Sequence, residues 1–208
     1  MADNFGITTG SDKTFRSDDV AGIHYQVVKA DVGGDGATIP LVGDSILAAM
    51  PVVPRLKRVR VAATPTISSG SIYAAGDTVG AVLTFSSAVR VSGGTGVIRQ
   101  AVISDKGKQD ATLFLVLFSQ TVAGTATDNN PFDPDDADLL NILGSVPVSD
   151  YADFADNSVG VVGSFDQGVL AIPIVCAATS LFGVLVNQDT PTYTSTSDLT
   201  VTLTIDQD

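Results

Sequence analysis

From Arg55 onward, apolar and polar residues alternate in short runs. In "RVRVAATPTI" the alternation puts Val59 and Val61 on one face. In "DLTVTLTI" it puts Leu199, Val201, Leu203 and Ile205 on one side and Thr200, Thr202 and Thr204 on the other. Between these lie "DTVGAVLTF", "GVIRQAVISD", "ATLFLVLFSQ", "SVGVVGSF", "GVLAIPIVCAA" and "SLFGVLVNQ", each bounded by Gly, Asp, Ser or Pro. A period of two bounded by turn residues is the mark of a strand. About eight such runs at this spacing predict an all-β, antiparallel β-sandwich or jelly roll over residues 55–208.

One stretch departs from that period: "TATDNNPFDPDDADLLNILGSVPVSDYADFADNSV". Asp133 is placed to cap a helix, with Pro134 in its first position and Asp135 and Asp136 in its first turn, where the helix dipole favours them. Leu139, Leu140 and Leu143 would form the apolar side and Gly144 the end. A second short helical piece is expected after Ser149, using Tyr151 and Phe154. Residues 1–54 read as an extended N-terminal arm, an anchoring segment with one strand. That strand is "GIHYQVVKADV", with Ile23, Tyr25 and Val27 facing one way and His24, Gln26 and Val28 the other. "VGGDG" ends it as a turn. "DSILAAMPVVP" reads as one helical turn or an extended crossing, because Pro51 and Pro54 stop a longer helix.

Composition agrees with strands and turns. All 23 acidic residues among the 208 are Asp, and Glu, the better helix former, is absent. Charge is uneven. Residues 1–108 hold all 11 Lys and Arg against nine Asp, a net of +2, and residues 109–208 hold 14 Asp and no cation. So acidic a half repels nucleic acid and anionic membrane surfaces. The one basic cluster, "RLKRVR" with Arg55, Lys57, Arg58 and Arg60, has no neighbouring aromatics to stack bases. It reads as a solvated strand face or an intersubunit contact. No apolar run reaches the ~18–20 residues of a membrane helix, and the first sixteen residues lack a signal-peptide core.

Candidate chemistry is sparse. His24 is the single histidine, so a Ser–His–Asp or Cys–His arrangement would have to use it, and no GxSxG elbow is present. Cys176 is the single cysteine and lies in an apolar run, where a buried thiol is expected. "GGDG" and "SGGTG" lack both the P-loop Lys-Ser/Thr and the GxGxxG spacing. Asp128, Asp133, Asp135, Asp136 and Asp138 invite a calcium reading. Counted from Asp133, however, Ala137 and Asp138 stand where an EF-hand loop needs a ligand and a Gly, which leaves a calcium site of another kind on loops as the alternative to helix capping by the same residues. The expectation is a non-enzymatic protein without cofactor. A sugar-binding sandwich, or an enzyme built on one, is disfavoured by the absence of Trp.

"DDVAGIHYQVVKADVGGDG" resembles the N-terminal stretch of tailed-bacteriophage virion proteins. "TPTISSGSIYAAGDTVGAVLTFSSAVRVSGGTGVI", "DADLLNILGSVPVSDYADFADNS" and "SLFGVLVNQDTPTYTSTSDLTVTLTIDQD" resemble phage structural proteins of the head-decoration or cement kind. The resemblance spans nearly the whole chain and rests on packing and turn motifs, so it carries over no catalytic residue. It implies a capsid decoration protein on the outer surface of the phage head, made in the host cytoplasm. Its implied partners are the major capsid protein and itself, as a homotrimer, with no nucleic acid and no membrane. The alternative is a tail, fibre or receptor-adhesion component. Under the leading reading the capsid contacts would be Ile23, His24, Tyr25, Arg55, Lys57, Arg58 and Arg60.

Overall fold

The computed structural model describes residues 56–163 and 169–208, together with the backbone of Ser17–Val20 and Ile23–Gln26. The chain divides into two units, Met1–Val53 and Pro54–Asp208. In the first unit β1 (Ser17–Val20) pairs antiparallel with β2 (Ile23–Gln26), setting Asp19 opposite His24 and Asp18 opposite Tyr25. The strand expected around Ile23 therefore has a partner. The "DSILAAMPVVP" segment lies outside the described residues.

The second unit is an antiparallel sandwich. Its larger sheet runs β3 (Lys57–Ala63), β12 (Leu199–Gln207), β5 (Thr95–Asp105), β9 (Ser158–Val162), β8 (Tyr151–Asp153). On the edge of β5 away from β12, β10 (Ile172–Val175) pairs with the first half and β9 with the second. The smaller sheet runs β4 (Leu83–Phe85), β11 (Leu181–Asn187), β6 (Leu113–Phe118), β7 (Ile142–Val148). The inner faces meet in one core. Ile98, Ala101 and Ile103 of β5 and Leu199, Val201, Leu203 and Ile205 of β12 lie against Leu113, Leu115 and Leu117 of β6 and Leu181 and Leu185 of β11. The alternation read in "DLTVTLTI" is thus the burial pattern of β12, with its threonines half-buried on the opposite face. A fully buried Leu or Ile contributes roughly 1.5–3 kcal/mol.

Pairing overrides helix signals in the aspartate-rich stretch. α1 is a single turn, Asp136–Leu139, with Asp135 rather than Asp133 at its N-cap. Leu139 and Leu140 are exposed instead of forming an apolar side. Leu143 and Gly144 belong to β7, where Gly144 stands opposite Leu117. The physical reason is the empty edge of β6: a four-residue turn satisfies few backbone groups, whereas β7 satisfies a ladder along seven residues. Tyr151 likewise starts β8 rather than a helix, and its hydroxyl donates to the Ala111 carbonyl at 2.8 Å.

"DTVGAVLTF" is interrupted. Val79 donates to the Leu185 carbonyl and the ladder resumes only at Leu83. Between them Gly80 has φ +80° and its N–H donates to Asp128 at 2.6 Å. A Cβ there would stand 2.4 Å from the Pro65 Cβ, so only glycine fits both the backbone and the space.

Candidate interaction edge

Among the described residues β3 is the end strand of the larger sheet and pairs only with β12. Its alternation turns Val59, Val61 and Ala63 toward the core, half-buried, and leaves Arg58, Arg60 and Ala62 exposed on the outer face. Beside it β12 presents Asp206 on that same outer face, directly opposite Arg58. Arg58 Nε donates to Asp206 Oδ1 at 2.7 Å, and its second guanidinium nitrogen donates to Oδ2 at 3.0 Å. From the other flank Arg99 Nε donates to Oδ2 at 2.9 Å.

A bulge helps to place Arg99. The β5–β12 register shifts between Thr204 and Ile205, so Gln100 faces Thr204 and Ile98 faces Ile205. Arg99 is the extra residue. The bulge lets Ile98 and Ala101, three apart, both point inward while Arg99 reaches Asp206. Asp206 is almost buried whereas Arg58 is 65% exposed. The Arg58 hydrogen bonds, aided by Arg99 and opposed by desolvation, hold the Asp206 carboxyl at about 2. Two arginines around one carboxylate leave this trio with a net charge of +1.

Between the edge strands β3 and β4 the sandwich is open. The groove there is about 560 Å³. Val59, Val61 and Val89 give it an apolar side, Thr84, Ser86, Ser87 and Thr179 a polar one, and Lys57, Arg60 and Arg90 stand around it. Gln207, the last residue of β12, donates to the Ser87 carbonyl at 2.8 Å and ties the two sheets together beside it. Among the described residues, neither Lys57 nor Arg60 has an ion pair.

The sequence-predicted contacts are therefore divided. Lys57, Arg58 and Arg60 share one strand edge, while Arg55 lies outside the described residues. Ile23, His24 and Tyr25 belong to β2 in the other unit, where the backbone pairing alone is described. Asp206, Arg99 and Gln207 were not singled out from the sequence. The outward parity of β12 could have flagged Asp206. Nothing local says that β12 lies between β3 and β5.

Four other carboxylates each gather several groups of their own chain. Asp105 accepts from the N–H groups of Gly107, Gln109 and Asp110, fixing a turn in which Lys108 and Asp110 both have positive φ. Burial pushes the Asp105 carboxyl up, against these three bonds. Asp138 accepts from Ala123, Gly124 and Asp135, and those backbone bonds, led by Ala123, lower its pKa. Asp198 accepts from Thr194 and Ser195, and Asp128 joins Ser68, Tyr73 and Gly80. A short carboxylate reaches neighbouring backbone that Glu would overshoot, which gives the all-Asp composition a structural use. Among the described residues no three acidic, His or Cys side chains come together in a way that could hold a metal, and no helix is long and apolar enough to cross a membrane.

Compared with known proteins, the chain matches no family model, no curated protein and no solved structure.

Proposed function

We propose that the protein is a non-enzymatic structural component of a bacteriophage virion, a decoration protein that binds and stabilises the outer head shell as a homotrimer. The observation that carries a structural role is the use of the chain's carboxylates. Asp105, Asp128, Asp138 and Asp198 each clamp two or more groups of their own chain, so the polar side chains secure loops on a sandwich. The virion assignment is supported by the resemblance of the four quoted stretches.

Self-association is supported by the outer face of the smaller sheet. Pro147, Phe114 and Val186 stand side by side across β7, β6 and β11. Phe114 and Ile142 each remain 39% exposed on strands without a charge. Apolar rows of this kind favour burial between subunits.

The test is decoration of heads that lack the protein. Added protein should bind them and raise their resistance to heat or chelation, and a chain without residues 1–20 should stay folded and bind poorly. Failure of the intact protein to bind heads would refute the reading.

A further inference from the structure

We infer that the β3 edge captures an extended acidic segment of another protein by strand addition. The inference goes beyond the proposed function and stands without it, since it is read on the isolated protein rather than on virions.

Three observations carry it. The first is the edge itself. β3 offers seven residues, about 20 Å at ~3.3 Å per residue, and among the described residues its backbone bonds only to β12. By contrast β4, the edge of the facing sheet next to it, has three residues; the far edge, β7, has seven but carries no charge. Short edges resist pairing and long ones invite it. The second is the groove alongside. The half-buried Val59 and Val61 supply apolar contact for alternate side chains of an added strand, and Thr84, Ser86, Ser87 and Thr179 make the rest of the groove polar. The third is charge. On the outer face the added strand would run beside Arg58 and Arg60, which are two residues apart as successive outward residues of a strand are. The Arg58–Asp206–Arg99 trio keeps a net +1, and Arg60 adds another. Lys57 stands at the groove.

The fitting occupant thus alternates acidic residues outward with apolar ones inward. A second copy pairing through its own β3 is restricted to a shortened register centred near Val61, where Arg60 meets Ala62. A two-fold register centred on Val59 sets Arg58 against Arg60, and one centred on Arg60 sets Arg60 against itself, and like charges directly opposite are unfavourable. Edge cations also guard strands against pairing. Under that alternative the edge would refuse an acidic strand as it refuses any other.

The experiment uses the full chain and three kinds of nine-residue peptide: alternating aspartate and valine, alternating lysine and valine, and the aspartate–valine peptide N-methylated on every valine or on every aspartate. In a paired strand the N–H groups of alternate residues point to one neighbour. One N-methylated form should therefore fail while the other binds. The aspartate–valine peptide should slow amide exchange within Lys57–Ala63, and the lysine–valine peptide should not. Lys57→Glu with Arg60→Glu, exposed substitutions that should leave the melting curve in place, should weaken the acidic peptide by about tenfold or more, since exposed pairs are individually modest, and should admit the lysine peptide. Equal binding of both charges, no binding of either, binding of both N-methylated forms, or protection elsewhere would overturn the inference. So would concentration-dependent protection of β3 without peptide, which would assign the edge to a second copy.

Discussion

Arg58 and Asp206, 148 positions apart, face each other across the first and last strands of the sandwich in a two-pronged ion pair. The contact joins the basic end of the unit to its acidic end. The two halves of the sequence, so different in charge, are therefore interleaved here, with β12 lying between β3 and β5.

Acid should report on this contact. The Asp206 carboxyl is lowered to about 2 in the folded protein, against about 3.9 for an unperturbed aspartate. A depressed carboxyl stabilises fully above its unfolded value and loses that contribution as pH falls through the folded one. Asp206→Asn should cost about 1–2 kcal/mol at neutral pH, discounted for the exposure of Arg58. It should also flatten the loss of stability from about pH 4 down to 2. Asp105, whose carboxyl is raised, has the opposite sign, contributing less as pH rises, and drops out of the variant-minus-native difference. Urea titrations of both proteins across that range provide the check.

The Asp128 cradle gives a second expectation. Tyr73 Oη donates to Asp128 at 2.7 Å, and Gly80 meets the same oxygen. Tyr73→Phe should cost about 1–3 kcal/mol, because a buried hydroxyl partner is lost. Gly80→Ala combines positive φ with a clash against Pro65 and should cost more. Thermal melts that leave Gly80→Ala equal to the native protein would contradict the interrupted strand.

Cys176 should be silent until the protein unfolds. It is fully buried, and desolvation pushes its thiol up to about 11. Only the thiolate reacts rapidly. A maleimide should label the native protein at the rate of its opening and the denatured protein at once. Prompt labelling in native buffer would place Cys176 at a surface.

Association should run through the smaller sheet. Light scattering at micromolar concentration is expected to give a trimer, and Phe114→Ser should shift it toward monomer while leaving the fold intact, because Phe114 is partly exposed. A native monomer would refute the proposed oligomer.

Much of the sandwich was legible because its signal is local. Period two in β3, β5 and β12 names the inward residues directly, and Val59, Val61, Leu203 and Ile205 lie where the alternation puts them. The aspartate-rich stretch misled because cap and dipole rules describe an isolated turn. Here Leu143 and Gly144 are drawn into a ladder with β6 that only the tertiary structure supplies. The interaction edge was half legible. Lys57, Arg58 and Arg60 lie within four consecutive residues, but Asp206 and Arg99 join them through strand order and a bulge, neither of which has a local signature.

The stoichiometry of this chain in purified virions, measured by quantitative mass spectrometry against the major capsid protein, separates a shell decoration from a tail part. A decoration protein should be present in numbers comparable to the shell subunits and should leave with the heads when tails are removed. A handful of copies that stay with the tails, or none at all, would contradict it.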